Sequence, residues 1–358
     1  MTETVRSTAS QPWRPRLLPG LPVLHRDDGV AQIGTDPRHA VVLGGLPQAV
    51  VAQLRSLDGG STHGAVLARL PSEDRAAFTE VLAVLTKAGL VEDTVKGARS
   101  PASASARLAV DATTWALRTG RQTATVPSDR ARAAVIVHGD GRIAVATACL
   151  LAAAGVGSVH VAASGAVEAA DCGCGYLEAD VGTRRARAAA RALRRACDTV
   201  QTTALPAGRL PDLVVLADAA VPDPQLVAAL CAAGTTHLVA RAREGNGWVG
   251  PMVVPGRTGC LRCLDLDRTD RDPCWPRLAT QLAIHPQPAD LLSATAVAAF
   301  AAGQVLRSLD GDRDPPLWNS MLELDPFGGA VHTRAWQPHP ACECGAAAGP
   351  SGSAPAVD

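Results

Sequence analysis

The stretch AVIVHGDGRIAVATACLLAAAGVGSVHVAA, residues 134–163, decides the fold. Two apolar runs enclose a glycine turn and a segment rich in Ala and Leu, which is the pattern of a strand, a helix and a second strand with a parallel crossover. The turn, GDGRIA at 139–144, is a GxGxxA variant of the dinucleotide fingerprint. We therefore predict that Gly139, Gly141 and Arg142 bind a phosphate at the helix N-terminus. In the alternative interpretation, the glycines serve only the geometry of the turn.

Strands and helices continue to alternate after this unit. The further segments are VGTRRARAAARALRRAC (181–197, helix), LPDLVVLAD (210–218, strand), DPQLVAALCAAG (223–234, helix) and THLVARA (236–242, strand). This alternation predicts an α/β domain over residues 133–346 with a Rossmann-like, mostly parallel sheet.

Two charged residues lie where such a sheet binds ligands. Asp218 closes the third strand, at the carboxyl edge of the sheet, and is a candidate catalytic residue that would hold Mg²⁺ or orient a phosphate. Arg185, with Arg184, opens the helical segment 181–197 and is predicted to meet the phosphates of a nucleotide. The alternatives are a turn or capping role for Asp218 and a solvated helix face for the arginines.

Two cysteine couples near the C-terminus predict a metal site. Cys260-Leu-Arg-Cys263 and Cys342-Glu-Cys344 together supply four thiolates, the ligand set of a tetrahedral Zn²⁺ site. A site closed by four cysteines leaves no open coordination position, so the zinc would be structural. The alternatives are that His339 replaces one ligand, or that four small apolar side chains cluster without a metal.

Cys274 is a second candidate catalytic residue. It lies in the polar stretch DRTDRDPCWPR, between Arg271 and Arg277. Neighbouring cations favour the thiolate, the nucleophilic form of cysteine. The alternative is an incidental exposed cysteine.

Length and composition limit the classes of protein. A chain of 358 residues predicts two domains, and a formal net charge of zero argues against a dedicated nucleic-acid or membrane-surface binder. The N-terminus has no secretory pattern, and the apolar runs 143–163 and 291–309 carry glycine or polar residues, so we expect a cytoplasmic protein without membrane spans. Ten cysteines in a reducing compartment indicate metal ligands or core residues.

The N-terminal part predicts a separate small domain. Three short β-like runs (21–26, 30–34 and 39–45) precede three helical segments and a returning strand at 90–93. This order predicts a winged-helix-like α+β domain over residues 16–94, after a disordered lead-in at 1–15. Residues 95–132 are predicted to form a linker and a connecting helix, and 347–358 a disordered tail.

With these motifs, residues 133–345 resemble the ThiF/MoeB superfamily, which has the ubiquitin-activating-enzyme-like fold. The resemblance implies a Rossmann-like sheet that binds ATP and Mg²⁺ and adenylates the C-terminal carboxylate of a small β-grasp protein, with a structural zinc on the split cysteines. Four features depart from the active pattern, and one is that the Asn/Arg segment that usually follows strand two is not recognisable in GAVEAADCGCG (165–175). Ala162 or Ala163 replaces the ribose-binding acid, Arg185 after Gly182 stands where the family has a catalytic lysine, and Asp218 is displaced from the acidic position. These departures predict a degenerate nucleotide site.

The small N-terminal domain and the ending PHPACECG (338–345) resemble the azoline-forming (TOMM) group of RiPP biosynthesis proteins. This resemblance implies a scaffold that binds a precursor (leader) peptide and presents it to a YcaO-type cyclodehydratase. We expect the peptide to add as a strand along Val41–Leu43, beside the helical segment 72–88. The alternative is an ATP-dependent adenylyltransferase for a ubiquitin-like or sulfur-carrier protein. The apolar segment 290–309 is also a candidate surface for a homodimer.

Overall fold

The structure, a computed structural model, describes residues 12–94, 106–284, 288–311 and 317–346. Most of the predicted lead-in, the first part of the predicted linker and the predicted tail at 347–358 lie outside these residues. The chain divides into two compact units, Met1–Ser128 and Asp129–Asp358.

The first unit holds two small antiparallel sheets. Its strands are β1 Pro15–Leu17, β2 Val23–Asp27, β3 Val30–Ile33, β4 Val41–Leu43 and β5 Val91–Asp93. The strands β1 and β5 pair with each other, while β2, β3 and β4 form a three-stranded sheet in that order. Pro15, the last residue of the predicted lead-in, is thus already part of β1.

Helices close an apolar core against these sheets. They are α1 Gln48–Arg55, α2 His63–Ala68, α3 Asp74–Lys87 and α4 Ala109–Thr119. The helices α1 and α3 bury Leu54, Phe78 and Leu85, and Thr62 caps α2 by accepting a hydrogen bond from the backbone N–H of Ala65 at 3.3 Å. The predicted order of three strands, three helices and a returning strand is observed. The segment predicted as a connecting helix contributes α4, whose Leu117 packs against this core.

The second unit is built on one seven-stranded sheet. Its strands are β6 Ala134–His138, β7 Ser158–Ala162, β8 Leu213–Ala217, β9 His237–Arg243, β10 Asn246–Val253, β11 Ser320–Asp325 and β12 Ala330–Ala335. The spatial order is β12-β11-β10-β9-β8-β6-β7. The pairs among β6, β7, β8 and β9 are parallel, as predicted, and the other three pairs are antiparallel. Four of the seven strands, β6 to β9, form the parallel part of the sheet, which confirms the predicted α/β fold with a mostly parallel sheet, and β10 to β12 add an antiparallel extension.

Helices cover both faces of this sheet. The helices of the second unit are α6 Arg142–Ala153, α7 Arg185–Ala196, α8 Pro224–Ala232, α9 Leu261–Arg271, α10 Trp275–Ile284 and α11 Leu291–Leu309, while α5 Thr125–Arg132 spans the boundary between the two units. Successive residues of β8 alternate between the faces, because side chains of a strand point to opposite sides. Val215 packs in the cluster that contains residues of α6, α7 and α11, whereas Leu216 packs with Leu230 of α8.

One helix among the described residues, α11, is long and apolar enough to cross a membrane. Its small residues Ala294 and Ala301 are fully buried and belong to the main core. Its N-terminus is capped by Asp290, whose side chain accepts a hydrogen bond from the backbone N–H of Ser293. The helix is thus placed as a core helix of the second unit.

Candidate functional site

The glycine turn between β6 and α6 is filled by a carboxylate from the end of β8. Asp218 Oδ2 accepts hydrogen bonds from the backbone N–H of Gly141 at 2.9 Å and of Ala144 at 3.2 Å, while Oδ1 accepts one from Ile143 at 3.1 Å. These amides start α6, so the carboxylate also benefits from the positive end of the helix dipole. The groups that would bind a phosphate therefore already bind a side chain of the same protein.

The conformation and ionisation of Asp218 both reflect this contact. Its backbone lies in the left-handed region with φ 65°, which is uncommon for a residue with a Cβ atom. Although the residue as a whole is half-buried, the turn encloses its carboxylate. Desolvation raises the pKa of Asp218 to about 6, against the opposing effect of the three N–H groups. The carboxylate is ionised at neutral pH and acts as an internal anion in the turn.

The two glycines of the turn leave room for this carboxylate, and at Gly139 also for Ala144 and the carbonyl oxygen of Ala217. A Cβ atom on Gly139 would lie 2.7 Å from Asp218 Oδ2, and one on Gly141 would lie 2.8 Å from Asp218 Oδ1. Either distance is too short for a real Cβ atom. The two glycines that are typical of a phosphate-binding turn are therefore also needed where an internal carboxylate fills the turn. The close approach of the Asp218 carboxylate thus accounts for the glycines without a nucleotide, in line with the alternative that they serve the geometry of the turn.

Arg142 is the third residue of the turn that was predicted to bind phosphate, and its guanidinium binds backbone carbonyl oxygens of the same protein. Its Nε donates to the carbonyl oxygen of Cys172 at 3.0 Å, and its Nη1 donates to that of Ala289 at 3.2 Å. These bonds tie the first turn of α6 to two loops of the second unit. The prediction that Arg142 also contacts a nucleotide remains a prediction.

Arg185 is held by acids next to the same edge of the sheet. Its Nη2 and Nε lie 2.8 and 3.0 Å from Asp171 Oδ2, and Glu168 is a second, weaker partner. Partial burial alone would lower the pKa of Arg185, but the ion pair with Asp171 raises it. Its Nη1 also donates to the carbonyl oxygen of Ser164 at 3.3 Å, and Ser164 in turn donates to the carboxylate of Asp140. Arg185 thus closes a network that begins in the glycine turn.

The four cysteines of the two predicted couples lie together. All four Sγ atoms are within 4.8 Å of one another, with 3.6 Å between Cys260 and Cys342, 3.5 Å between Cys263 and Cys344, and 4.0 Å between Cys260 and Cys263. Sulfur atoms bound tetrahedrally at the usual zinc–sulfur length are about 3.8 Å apart. The donor set therefore fits a tetrahedral metal ion.

The burial of the thiols in this cysteine cluster also favours a bound cation. Burial raises the pKa of Cys263 to about 11, so the thiolate form needs a compensating positive charge. His339, the substitute ligand considered from the sequence, points elsewhere and pairs with Asp270 at 2.9 Å. Its ring also accepts a hydrogen bond from the backbone N–H of Ala341, which orients the segment that carries Cys342.

Cys274 stands apart from these groups. It is exposed, and its backbone N–H donates to Asp272 at 2.9 Å just before α10. No contact joins it to the glycine turn in the described part of the chain. A catalytic role for Cys274 remains a prediction without support from its surroundings.

Sequence reasoning missed an arginine that belongs to a cavity of the second unit. Arg241 lies in the apolar strand β9, and its Nη1 donates to the carbonyl oxygen of Ala220. A lone charged residue between Ala240 and Ala242, at a position whose neighbours along the strand are buried, is the signal that could have found it.

One edge of the three-stranded sheet in the first unit is open. Among the described residues, the outer backbone of β4 has no strand partner, and Val42 has 48% of its surface exposed. The opposite edge, β2, is partly covered because Arg55 donates to the carbonyl oxygen of Val23. Leu24, Gln32 and Val42 are aligned across the sheet.

Comparison with known proteins shows which family and which solved structures this chain is similar to. A family model described as the ThiF family matches residues 128–346, and no curated protein sequence matches the chain. Among solved structures, E. coli MccB with AMPCPP and MccA has a TM-score of 0.69 at 15% identity and covers 93% of this chain and 99% of its own. Microcin C7 biosynthetic enzyme MccB in complex with N-formylated MccA has a TM-score of 0.66 at 16% identity, covering 92% and 99%. PaaA has a TM-score of 0.66 at 18% identity, covering 88% and 98%.

Proposed function

Because the chain belongs to the ThiF family, we propose that it is a scaffold that binds a precursor peptide and presents it to a YcaO-type cyclodehydratase. In this proposal the first unit captures the leader part of the peptide, and the partner enzyme forms the thiazole or oxazole rings. The second unit keeps the shape of a nucleotide-binding domain without using a nucleotide.

The single observation that carries the proposal is the open edge of β4. An extended peptide placed there would gain backbone hydrogen bonds, and alternate side chains would meet the exposed apolar surface at Val42. The fold likeness supports the same reading, since structures of MccB with MccA share their fold with this chain over 92–93% of its length.

The residues of the second unit argue against a nucleotide-dependent reaction in this unit. Asp218 satisfies the amides of the glycine turn, and Arg185 is engaged by Asp171. The chain has only two lysines, Lys87 and Lys96, and neither lies in the second unit. A nucleotide would have to displace Asp218 and find its phosphate ligands without a lysine.

We further propose that the cysteine cluster holds zinc and that the zinc is structural. The four thiolates would complete its coordination, so a substrate would find no open position. By joining Cys260 and Cys263 to Cys342 and Cys344, the ion would fix the C-terminal segment to the start of α9. The zinc would stabilise the second unit and take no part in a reaction.

The alternative function is ATP-dependent adenylation of the C-terminal carboxylate of a ubiquitin-like or sulfur-carrier protein. One observation favours it, namely the fold likeness to a MccB structure that holds AMPCPP. Adenylation would require Asp218 to leave the turn and to serve Mg²⁺ or a phosphate. ATP–pyrophosphate exchange in the presence of a carrier protein would establish this function in place of the scaffold.

Peptide binding tests the proposal directly. Fluorescein-labelled peptides from the N-terminal halves of short reading frames encoded beside the gene would be titrated with the full chain, and anisotropy recorded. We expect Val42→Asp to weaken binding of the recognised peptide about tenfold, because it places a charge at the added strand. Leu24→Asp is the matched control, since it puts the same charge on the other edge strand of the same sheet.

Equal binding by the wild type, Val42→Asp and Leu24→Asp would rule out the β4 edge as the peptide site. Failure of every such peptide to bind, together with pyrophosphate exchange, would replace the scaffold with the adenylating enzyme.

A further inference from the structure

The second unit contains a cavity of about 710 Å³ that the proposed function does not use. It lies between the loop after β8, the helices α8 and α9, the strand β9 and the segment that carries Cys342 and Cys344. Its volume is in the range of sites that bind small molecules. None of the residues of the glycine turn lines it, so it is separate from the filled phosphate position.

One wall of this cavity is cationic. Arg241, on β9, is half-buried and has no acidic partner within ion-pair distance in the part of the chain that the structure describes. The hydrogen bond to Ala220 uses one of its five N–H groups. Desolvation, followed by the nearby charges of Arg268 and Arg243, lowers the pKa of Arg241 to about 9. A guanidinium in such surroundings is stabilised by any anion that reaches it.

Arg268 supplies a second positive charge to the cavity, but its guanidinium already contacts an aromatic ring and a carboxylate. Its guanidinium lies 4.6 Å from the ring centre of Trp275, and its Nη1 lies 3.4 Å from Asp265. Asp265 also accepts a hydrogen bond from the Trp275 indole N–H at 3.1 Å. Asp265 therefore binds Arg268 and Trp275 directly, and it acts on Arg241 only through its charge at longer range.

The facing wall of the cavity is apolar. It is formed by the loop and the helix that follow β8 and by the first turn of α9. The apolar lining residues are Val221, Pro224, Val227, Ala228, Leu261 and Leu264. A ligand that fills the space would therefore present an apolar body to one wall and a negative charge to the other.

We propose that this cavity binds a small organic anion, a carboxylate or a phosphomonoester with an apolar body, through the guanidinium of Arg241. Planar guanidinium groups bind both kinds of head group through paired hydrogen bonds. The inference goes beyond the proposed function and does not depend on it. No covalent step is involved.

A competing explanation comes from the neighbouring cysteine cluster. Cys260, Cys342 and Cys344 also line the cavity, and four thiolates with one Zn²⁺ carry a net negative charge. The arginines would in that case offset the charge of the metal site. This explanation predicts that loss of Arg241 lowers zinc retention and that the cavity has no affinity for added anions.

Calorimetric titration of the full-length, zinc-loaded protein separates the two explanations. The probes are N-acetyl-leucine, phenyl phosphate and the neutral N-acetyl-leucinamide. We expect at least one anion to bind and the amide not to bind, and we expect Arg241→Met to weaken the anion about tenfold or more. Arg243→Met is the control, because Arg243 is an exposed arginine of the same strand that lies over Trp248.

A second pair of variants avoids any effect of Arg241 on folding. Ala228 and Ala229 are adjacent exposed residues of α8, and only Ala228 lines the cavity. Ala228→Glu should weaken the anion by placing a carboxylate in its site, whereas Ala229→Glu should leave binding unchanged. The better of the two anions identifies the head group.

The proposal is overturned if neither anion gives heat at millimolar concentration, or if the amide binds as well as the carboxylate. It is also overturned if Arg241→Met and Ala228→Glu bind the anion like the wild type. If Arg241→Met loses zinc and the wild type binds no anion, the arginine serves to offset the negative charge of the metal site.

Discussion

The carboxylate of Asp218 and the backbone N–H of Gly141 form a 2.9 Å hydrogen bond that joins the end of β8 to the start of α6. Two more amides of the same turn donate to this carboxylate. A dinucleotide fold normally offers these amides to a phosphate. In this protein an internal anion satisfies them, and an external phosphate has to compete with it.

This arrangement predicts an unusual pH dependence of stability. The pKa of Asp218 rises from 3.8 in a free side chain to about 6 in the folded protein, chiefly by desolvation. The folded state therefore binds the proton more tightly, so the stability due to this proton is full below about pH 4 and is lost as pH rises through 6. The shift corresponds to about 3 kcal/mol, as an order of magnitude.

The isosteric variant Asp218→Asn isolates this effect because it does not titrate. Denaturant unfolding of both proteins between pH 4.5 and 7.5 should show the stability of the wild type falling relative to the variant by about 2 kcal/mol. If the stability of the wild type relative to the variant stays constant or rises with pH, the pKa of Asp218 in the folded protein is not raised and the account of this carboxylate is wrong.

A second prediction concerns the glycine of the turn. Gly141→Ala places a methyl group 2.8 Å from Asp218 Oδ1, so it should destabilise the protein by about 1–3 kcal/mol. In an Asp218→Ala background the methyl group has room, and the cost should largely disappear. The free energy of unfolding of the two single variants and the double variant gives the coupling between the residues.

The control for this cycle is Gly303→Ala. Gly303 lies inside α11, and nothing stands within 4 Å of an added Cβ atom. The substitution should stabilise the protein by about 0.5–1 kcal/mol, since Ala is the better helix former. If Gly141→Ala costs the same with and without Asp218, the carboxylate does not explain the glycine.

The cysteine cluster gives a third prediction. Cys263→Ser removes a buried ligand and should lower both the zinc content, measured by atomic emission, and the midpoint of thermal unfolding. Cys274→Ser is the matched control because Cys274 is exposed and lies outside the cluster. A Cys263→Ser protein with unchanged zinc content and unchanged stability would refute a structural zinc.

Some of this organisation could be predicted from the sequence. The apolar runs with a glycine turn predicted the parallel strands β6–β9, because burial on both faces leaves a strong pattern. The cysteine couples predicted the cluster, because spacing and residue type are enough for a four-thiolate site.

Other features depend on contacts that no local pattern reveals. The strands β10, β11 and β12 extend the sheet antiparallel; β10 packs against β9 and α11, and β11 and β12 follow it in order. Asp218 was visible as a candidate at the sheet edge, but its bonds to the turn span more than 70 residues of sequence. Likewise, the surroundings of Arg241 come from the loop after β8 and from α9, which the local pattern of β9 does not reveal.

A calorimetric titration of the purified, zinc-loaded protein with Mg-ATP tests the central claim most directly. If Asp218 fills the phosphate position permanently, no heat should appear at millimolar ATP, and the recognised leader peptide should bind equally well with or without ATP. A dissociation constant near 1 μM, about −8 kcal/mol, would contradict the account, because the turn would then be a working nucleotide site.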